Sequence, residues 1–222
     1  MDLSVYQQIK KESAAHNALL VAVSKTKPNE AIAALYEEGQ RDFGENYVQE
    51  LLVKHAALAK DIRWHFIGHL QSNKVKLIAP FVHMIHAVDS FKLLQEIEKQ
   101  AAKYKRTIDV LLQLYVAKEE TKFGMDENEL TTCLAYYEAQ QASLQHVRIR
   151  GIMGMASFTD NDTQVRQEMQ QIATAFRHIK QSFFIGKTYF DTCSMGMSGD
   201  YQIALEEGST LLRIGSKLFG TR

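Results

Sequence analysis

Residues 19–28 read Leu19-Leu20-Val21-Ala22-Val23-Ser24-Lys25-Thr26-Lys27-Pro28. The first five are apolar, partly β-branched and too few for a buried helix, so they predict a buried strand. Pro28 suits the first turn of a helix. Ala31, Ile32, Leu35 and Tyr36 then repeat at helical spacing up to Gly39, a natural C-cap. Outward from this β–α unit the same alternation recurs. Further strands are predicted at Asp42–Gly44, Trp64–Gly68, Met84–Val88, Ile108–Val116, Val147–Met155, Thr188–Cys193 and Leu211–Gly215. Helices are predicted at about 2–16, 91–104 and 163–182, the last with Val165, Met169, Ile172, Ala173, Phe176 and Ile179 on one apolar stripe. Strands separated by helices imply parallel crossovers. Eight of them in 222 residues predict an α/β fold, a compact (β/α)8 TIM-type barrel over 1–222 with an extra N-terminal helix. The alternative, an open doubly wound sheet, lacks its Gly-x-Gly-x-x-Gly after the first strand.

Composition narrows the classes of function. Lys and Arg number 26 against 26 Asp and Glu, which removes the electrostatic footprint of a general nucleic-acid binder or a polybasic membrane protein. The 2 Cys, Cys133 and Cys193, form no Cys-x-x-Cys, so neither a disulfide framework nor a structural zinc site is expected. No apolar run approaches the roughly 20 residues that span a bilayer. The opening MDLSVYQQIKKESAAHN lacks the apolar core of a signal peptide. A cytoplasmic protein is expected.

In such a barrel, reactive groups belong at the C-terminal ends of the strands. Lys25 sits directly after an apolar strand, where an ammonium group is costly to desolvate. Two readings stand: a lysine that snorkels to the rim, or an amine of lowered pKa able to form a Schiff base with an aldehyde. Lys27, two residues on, is either a like charge that helps hold Lys25 neutral or a solvated loop residue. A second cluster follows the last two strands: Ser194-Met195-Gly196-Met197-Ser198-Gly199-Asp200, then Arg213-Ile214-Gly215-Ser216. Taken singly, these are turn chemistry. Placed after strands seven and eight they form the corner where these barrels hold phosphate. With a strand-1 lysine, they describe a pocket for a phosphorylated aldehyde, and pyridoxal phosphate is the candidate.

Beyond these features, whole segments resemble the pyridoxal phosphate homeostasis (YggS/PROSC) family. They are AVSKTKP at 22–28, FGENYVQE at 43–50, WHFIGHLQSNK at 64–74, KFGM at 122–125, GIMGMAS at 151–157 and CSMGMSGDYQIALEEGSTLLRIGSKLFG at 193–220. The resemblance implies a barrel of the alanine racemase N-terminal-domain kind, with the cofactor on Lys25 rather than Lys27. It implies that Arg213 faces the pyridine nitrogen and that Ser194, Gly215 and Ser216 hold the phosphate. Asn46 resembles a pocket residue beside the ring, its alternative being a turn-former or the N-cap of the helix beginning near Tyr47. Phe123 departs from the small residue expected in the Lys-x-Gly segment, which weakens Lys122 as a functional residue.

Three functions compete: a carrier or buffer of pyridoxal 5'-phosphate, an amino-acid racemase or related enzyme, and a barrel isomerase or aldolase using Lys25 on a sugar aldehyde. The sequence stops at Arg222, soon after the eighth strand. In alanine racemases, by the same resemblance, the opposing catalytic tyrosine belongs to a further domain of a partner subunit. Racemisation needs an acid and a base on opposite faces of the carbanion. The expectation is therefore a carrier, not an enzyme, monomeric and meeting apo-enzymes only transiently.

Other residues read as structural. His65 and His69 on a strand lie about 13 Å apart, too far for one ion. His69 is expected in a loop at the barrel mouth with Gln71 and Asn73. His83 and His86 are expected to face opposite sides of their strand. Cys193 reads as buried and inert, Met153, Met155, Met195 and Met197 as filling, and Glu37-Glu38 and Glu206-Glu207 as solvated.

Overall fold

The computed structural model describes residues 2–116 and 123–220. Before the barrel runs α1 (Leu3–Ala15), whose cap Asp2 accepts from Ser4 N at 2.9 Å. The barrel units follow as β1 (Leu19–Val23) and α2 (Asn29–Glu37), β2 (Asp42–Glu45) and α3 (Val48–Ala57), β3 (Arg63–Phe66) and α4 (Val75–Ile78). Next come β4 (Met84–Val88) and α5 (Phe91–Lys103), then β5 (Ile108–Gln113) and α6 (Glu127–Ala139). The last units are β6 (Val147–Met153) and α7 (Asp162–Ser182), β7 (Thr192–Ser194) and α8 (Tyr201–Glu206), β8 (Leu211–Ile214) and α9 (Ser216–Phe219). The strands pair in parallel and in chain order, and β8 closes on β1 through Leu19↔Leu211 to Ala22↔Ile214. The predicted barrel with its extra N-terminal helix is the observed one.

Alternation along each strand divides the core in two. Leu20, Ala22, Phe43, Trp64, Phe66 and Leu212 point outward into the helix layer, where the main apolar cluster lies. Val21, Met84, Ala87, Leu111, Met153 and Leu211 form a smaller cluster inside the barrel. The stripe predicted on α7 is buried at Val165, Met169, Ile172, Ala173 and Ile179, with Phe176 partly covered. Among the described residues no helix is long and apolar enough to cross a membrane.

Three expectations change. β7 is Thr192–Ser194, not Thr188–Cys193. Phe190 N donates to Lys187 O at 3.1 Å in a turn, and its ring stacks on Phe184 at 4.2 Å, so aromatic packing ends the apparent strand early. His83 and His86 do not part company: both flank His65, with ring centroids 5.3 and 5.1 Å away. Glu206 and Glu207 are not merely solvated, because Arg166 of α7 pairs with both and ties α7 to α8.

The loop after β7 turns at Gly196, whose φ of +94° favours glycine. A Cβ there would meet Ala204 Cβ at 2.5 Å and Leu212 Cδ2 at 2.9 Å, whereas Gly199 faces open space. Gly196→Ala is expected to lower the unfolding free energy by about 2–4 kcal/mol, combining backbone strain and overpacking. Gly199→Ala should cost less than about 1 kcal/mol, and urea titrations of the two variants check the contrast.

Candidate functional site

The C-terminal ends of the strands surround a cavity of about 590 Å³ walled by Lys25, Asn46, Met155, Arg213, Gly215 and Ser216, with further loop residues around them. Five of the six residues singled out from sequence therefore line one cavity. A larger groove of about 720 Å³ lies between α6 and α7, lined by Gln167, Gln170 and Gln171 with Glu127 and His178, but no strand end lines it. The strand-end cavity is the site that the fold builds.

Arg213 is the group that most constrains this cavity. It is 4% exposed, and its hydrogen bonds go to Ser194 Oγ and, at 2.9 Å, to the Gly154 carbonyl rather than to a carboxylate. Burial pulls its pKa down to about 10, so it remains a cation at neutral pH. Ser194 is fully buried and stands behind Arg213 instead of on the cavity wall. Besides Ser216, Ser198 reaches the wall near β8, and its hydroxyl accepts from Gly215 N and Lys217 N, both at 3.3 Å. Gly215 permits close approach: a Cβ there would press on the Val23 carbonyl at 3.3 Å.

Asn46 does not cap the following helix, which begins with Tyr47 as its N-cap and no side-chain cap bond. Its Oδ1 is buried without a partner, an unmet polar atom at the cavity wall. Lys27 is half-buried and lines a small cavity together with Lys25. Its Nζ donates to Gly220 O at 2.9 Å and Phe219 O at 3.3 Å, fastening the loop after β1 to the end of α9. Lys122 lies outside the described residues. His69 stands at the mouth, bonded to Asp89 at 3.1 Å and stacked on Phe123 at 4.1 Å. Cys193 is buried, which pushes its thiol up to about 12 and leaves it inert.

Beneath Lys25 lies a network that sequence reading missed. Lys54 of α3 is 4% exposed, and its Nζ donates to Ser24 O (2.7 Å), Glu45 Oε1 (2.8 Å) and Glu50 Oε1 (2.6 Å). Ser24 Oγ also donates to Glu45 Oε1 at 2.6 Å, while burial pushes the Glu45 carboxyl up. Glu50 then accepts from Thr26 N at 2.6 Å. Thr26 has φ +62°, an unfavourable region for a β-branched residue, and it directly follows Lys25. On the opposite wall, buried Glu168 holds Ser157 through its amide (2.6 Å) and hydroxyl (2.9 Å). Both Glu168 and Lys54 carried a signal: a charge on the apolar face of an amphipathic helix.

Residues 5–222 match the family described as "Alanine racemase, N-terminal domain". The "Pyridoxal phosphate homeostasis protein" of Pasteurella multocida (strain Pm70) is 38% identical over 219 residues, 97% of this chain and 91% of that one. The chain belongs to the pyridoxal phosphate homeostasis branch of the alanine racemase N-terminal-domain family. The protein of that same name from Escherichia coli (strain K12) is 36% identical over 207 residues, 91% of this chain and 85% of that one. Among solved structures, PipY of Synechococcus elongatus PCC7942 with PLP bound is similar at TM-score 0.81 and 34% identity, covering 92% of this chain and 93% of that one. Alanine racemase from Bartonella henselae shares the fold alone, at TM-score 0.69 and 17% identity, with this chain covering 57% of its length.

The strained turn gives a direct test within this family member. Glu50→Ala should destabilise the protein by about 1–2 kcal/mol, since it removes the acceptor that stabilises Thr26 in its left-handed conformation. Thr26→Gly in the same background should recover a large part of that loss, as glycine adopts this conformation without strain. Urea denaturation of the two single variants and the double variant checks both signs.

Proposed function

We propose that this protein binds pyridoxal 5'-phosphate at the strand-end cavity and serves as its carrier or buffer, not as a catalyst of amino-acid chemistry. The observation that carries the reading is the convergence on one cavity of a strand-end amine, a buried cation hydrogen-bonded to a hydroxyl and a carbonyl, and an unmet amide oxygen. The relatives named for pyridoxal phosphate homeostasis, and PipY with PLP bound, support it. The residues fit the group: an amine for its aldehyde, glycine backbone and serine hydroxyls for its phosphate, and a cation for its ring nitrogen. When bound, the cofactor supplies an aldehyde that condenses with an unprotonated amine and a ring that withdraws electrons.

The chain's own residues set what happens there. Lys25 is the residue assigned to hold the aldehyde as a Schiff base, its position fixed by the Thr26 turn and the Lys54 network below. Gly215, Ser216 and Ser198 are assigned to the phosphate, and Ser194 acts through Arg213 by orienting its guanidinium. Arg213 donates hydrogen bonds and stays protonated, so it would hold a ring nitrogen by donating to its lone pair, and the cofactor would there supply a weaker electron sink. Cofactor retention needs none of the acid–base machinery that carbanion chemistry requires. A cytoplasmic monomer over 1–222 that hands the cofactor to apo-enzymes in transient encounters completes the reading.

Lys25→Ala is expected to abolish the visible absorption band of the loaded protein and its borohydride-fixed label, with the fold retained. Covalent fixation at full occupancy in that variant would move the linkage to Lys27 or elsewhere. Ser216→Asp is expected to weaken pyridoxal phosphate far more than unphosphorylated pyridoxal, because a second negative charge opposes the phosphate. Equal weakening of both in titrations would place the phosphate away from this corner. Incubated with L- or D-alanine in deuterated water, the loaded protein should exchange the α-proton at least about 10²–10⁴-fold more slowly than an enzyme with positioned acid–base groups. Exchange at ordinary enzymatic rates would overturn the carrier reading.

A further inference from the structure

The opposite end of the barrel holds a second cavity, of about 410 Å³, at the N-terminal ends of the strands. Asp42 opens β2, His65 points inward from β3 and His83 immediately precedes β4, so two strands and the lead-in to a third deliver one ligand atom each. Those atoms all lie within 4.8 Å of one another. Asp42 and His65 are buried and His83 is half-buried, with Asp42 Oδ1 3.0 Å from His65 Nε2. None of the three touches the cavity that holds Lys25.

We propose that Asp42, His65 and His83 form a binding site for a divalent transition metal of the zinc class. Two imidazoles and one carboxylate are a donor set such ions take, with a fourth position left to water. The cavity supplies that water and an entry path. Bonds of about 2.0–2.2 Å in a tetrahedral shell put donor atoms about 3.3–3.5 Å apart. The Asp42–His65 pair is already near that separation, and His83, facing the open cavity, has room to rotate inward. The outer shell is present too. His65 Nδ1 lies 2.9 Å from Nε2 of the fully buried His86, so metal at Nε2 leaves Nδ1–H to donate to His86.

One feature opposes the ion and supplies a diagnostic. Arg63 pairs with both carboxylate oxygens of Asp42, with Nε at 2.8 Å from Oδ1. Its side chain is 46% exposed, so it can swing into solvent when a cation arrives. The other charges near this end, Asp109 and Asp191 against Arg148 and Arg150, are paired among themselves. Arg63 is therefore the competitor for Asp42, and binding is of moderate affinity.

The test is equilibrium dialysis of the full-length, cofactor-loaded protein against Zn²⁺, followed by metal analysis and thermal unfolding with and without the ion. About one equivalent of zinc and a raised unfolding midpoint are expected in the unaltered protein. His83→Gln, at a half-buried strand start, should lose both effects while its zinc-free unfolding stays close to the original. Arg63→Gln should tighten zinc binding several-fold, an effect opposite in sign to that of any variant that merely loosens this end of the barrel. The cofactor's visible band should not change in either variant, which separates this site from the strand-end cavity. No retained zinc, retention undiminished in His83→Gln, or weakened binding in Arg63→Gln would overturn the proposal.

Discussion

The β1–β8 ladder is the constraint on which the rest depends. Leu19 to Ala22 pair with Leu211 to Ile214, joining segments from opposite ends of the chain, and so set Lys25 in the same cavity as Arg213, Gly215 and Ser216. Such a closure is entropically expensive, because the contacts it makes are as non-local as the chain allows. Several interactions reinforce it. Lys27 Nζ reaches the carbonyls of Phe219 and Gly220, Leu19 N donates to Thr210 O at 2.9 Å, and Tyr201 Oη donates to Glu12 Oε2 at 2.8 Å, binding α8 to α1. The extra N-terminal helix thus has a mechanical role: it covers the seam where the barrel shuts, with Tyr6 and Ile9 buried against it.

Much of this was legible in the sequence, for identifiable reasons. Leu20–Val23 and Met84–Val88 are buried on both faces and almost wholly apolar, His86 excepted, so hydrophobicity marks their limits. β7 was not, because Thr188–Asp191 carries strand-like residues whose conformation is decided by Phe190 stacking on Phe184, a contact invisible to local pattern. The site residues divide along the same line. Strand-end position located Lys25, Arg213, Gly215 and Ser216. It did not separate Ser194 from Ser198, since facing the cavity or standing behind Arg213 depends on pleat and loop geometry. Asp42, His65 and His83 lie far apart in sequence and meet only because neighbouring parallel strands begin side by side; no spacing rule connects them.

The barrel interior treats its buried charges in two ways, and the contrast bears on function. Lys54 is surrounded by Glu45, Glu50 and the Ser24 carbonyl, so its charge is spent within the protein and serves to hold a turn. Arg213 is just as buried, but among the described residues its hydrogen bonds go to a hydroxyl and a carbonyl, with the Asp200 carboxylate acting on it through charge. A buried cation with neutral partners is costly, and the cost is tolerable where a ligand with electron-rich atoms completes its shell. The unmet Oδ1 of Asn46 on the same wall belongs to the same logic.

At the other end Asp42 shows the reverse arrangement. Although burial alone would raise its pKa, hydrogen bonds from His65 and Arg63 bring it down to about 2. Its charge is therefore fixed across the neutral range and shared between a fully buried imidazole and a half-exposed guanidinium. The exchangeable partner is the exposed one. A fold that positions ligands at strand C-termini has here kept an ionised, histidine-flanked carboxylate at the N-termini, where the usual reading of a charged residue is stability alone. The inward direction of His65 and His86 makes that reading insufficient. An ion pair for stability needs only Asp42 and Arg63 at the rim, whereas two linked imidazoles within the barrel replace apolar filling that would pack without polar atoms to satisfy.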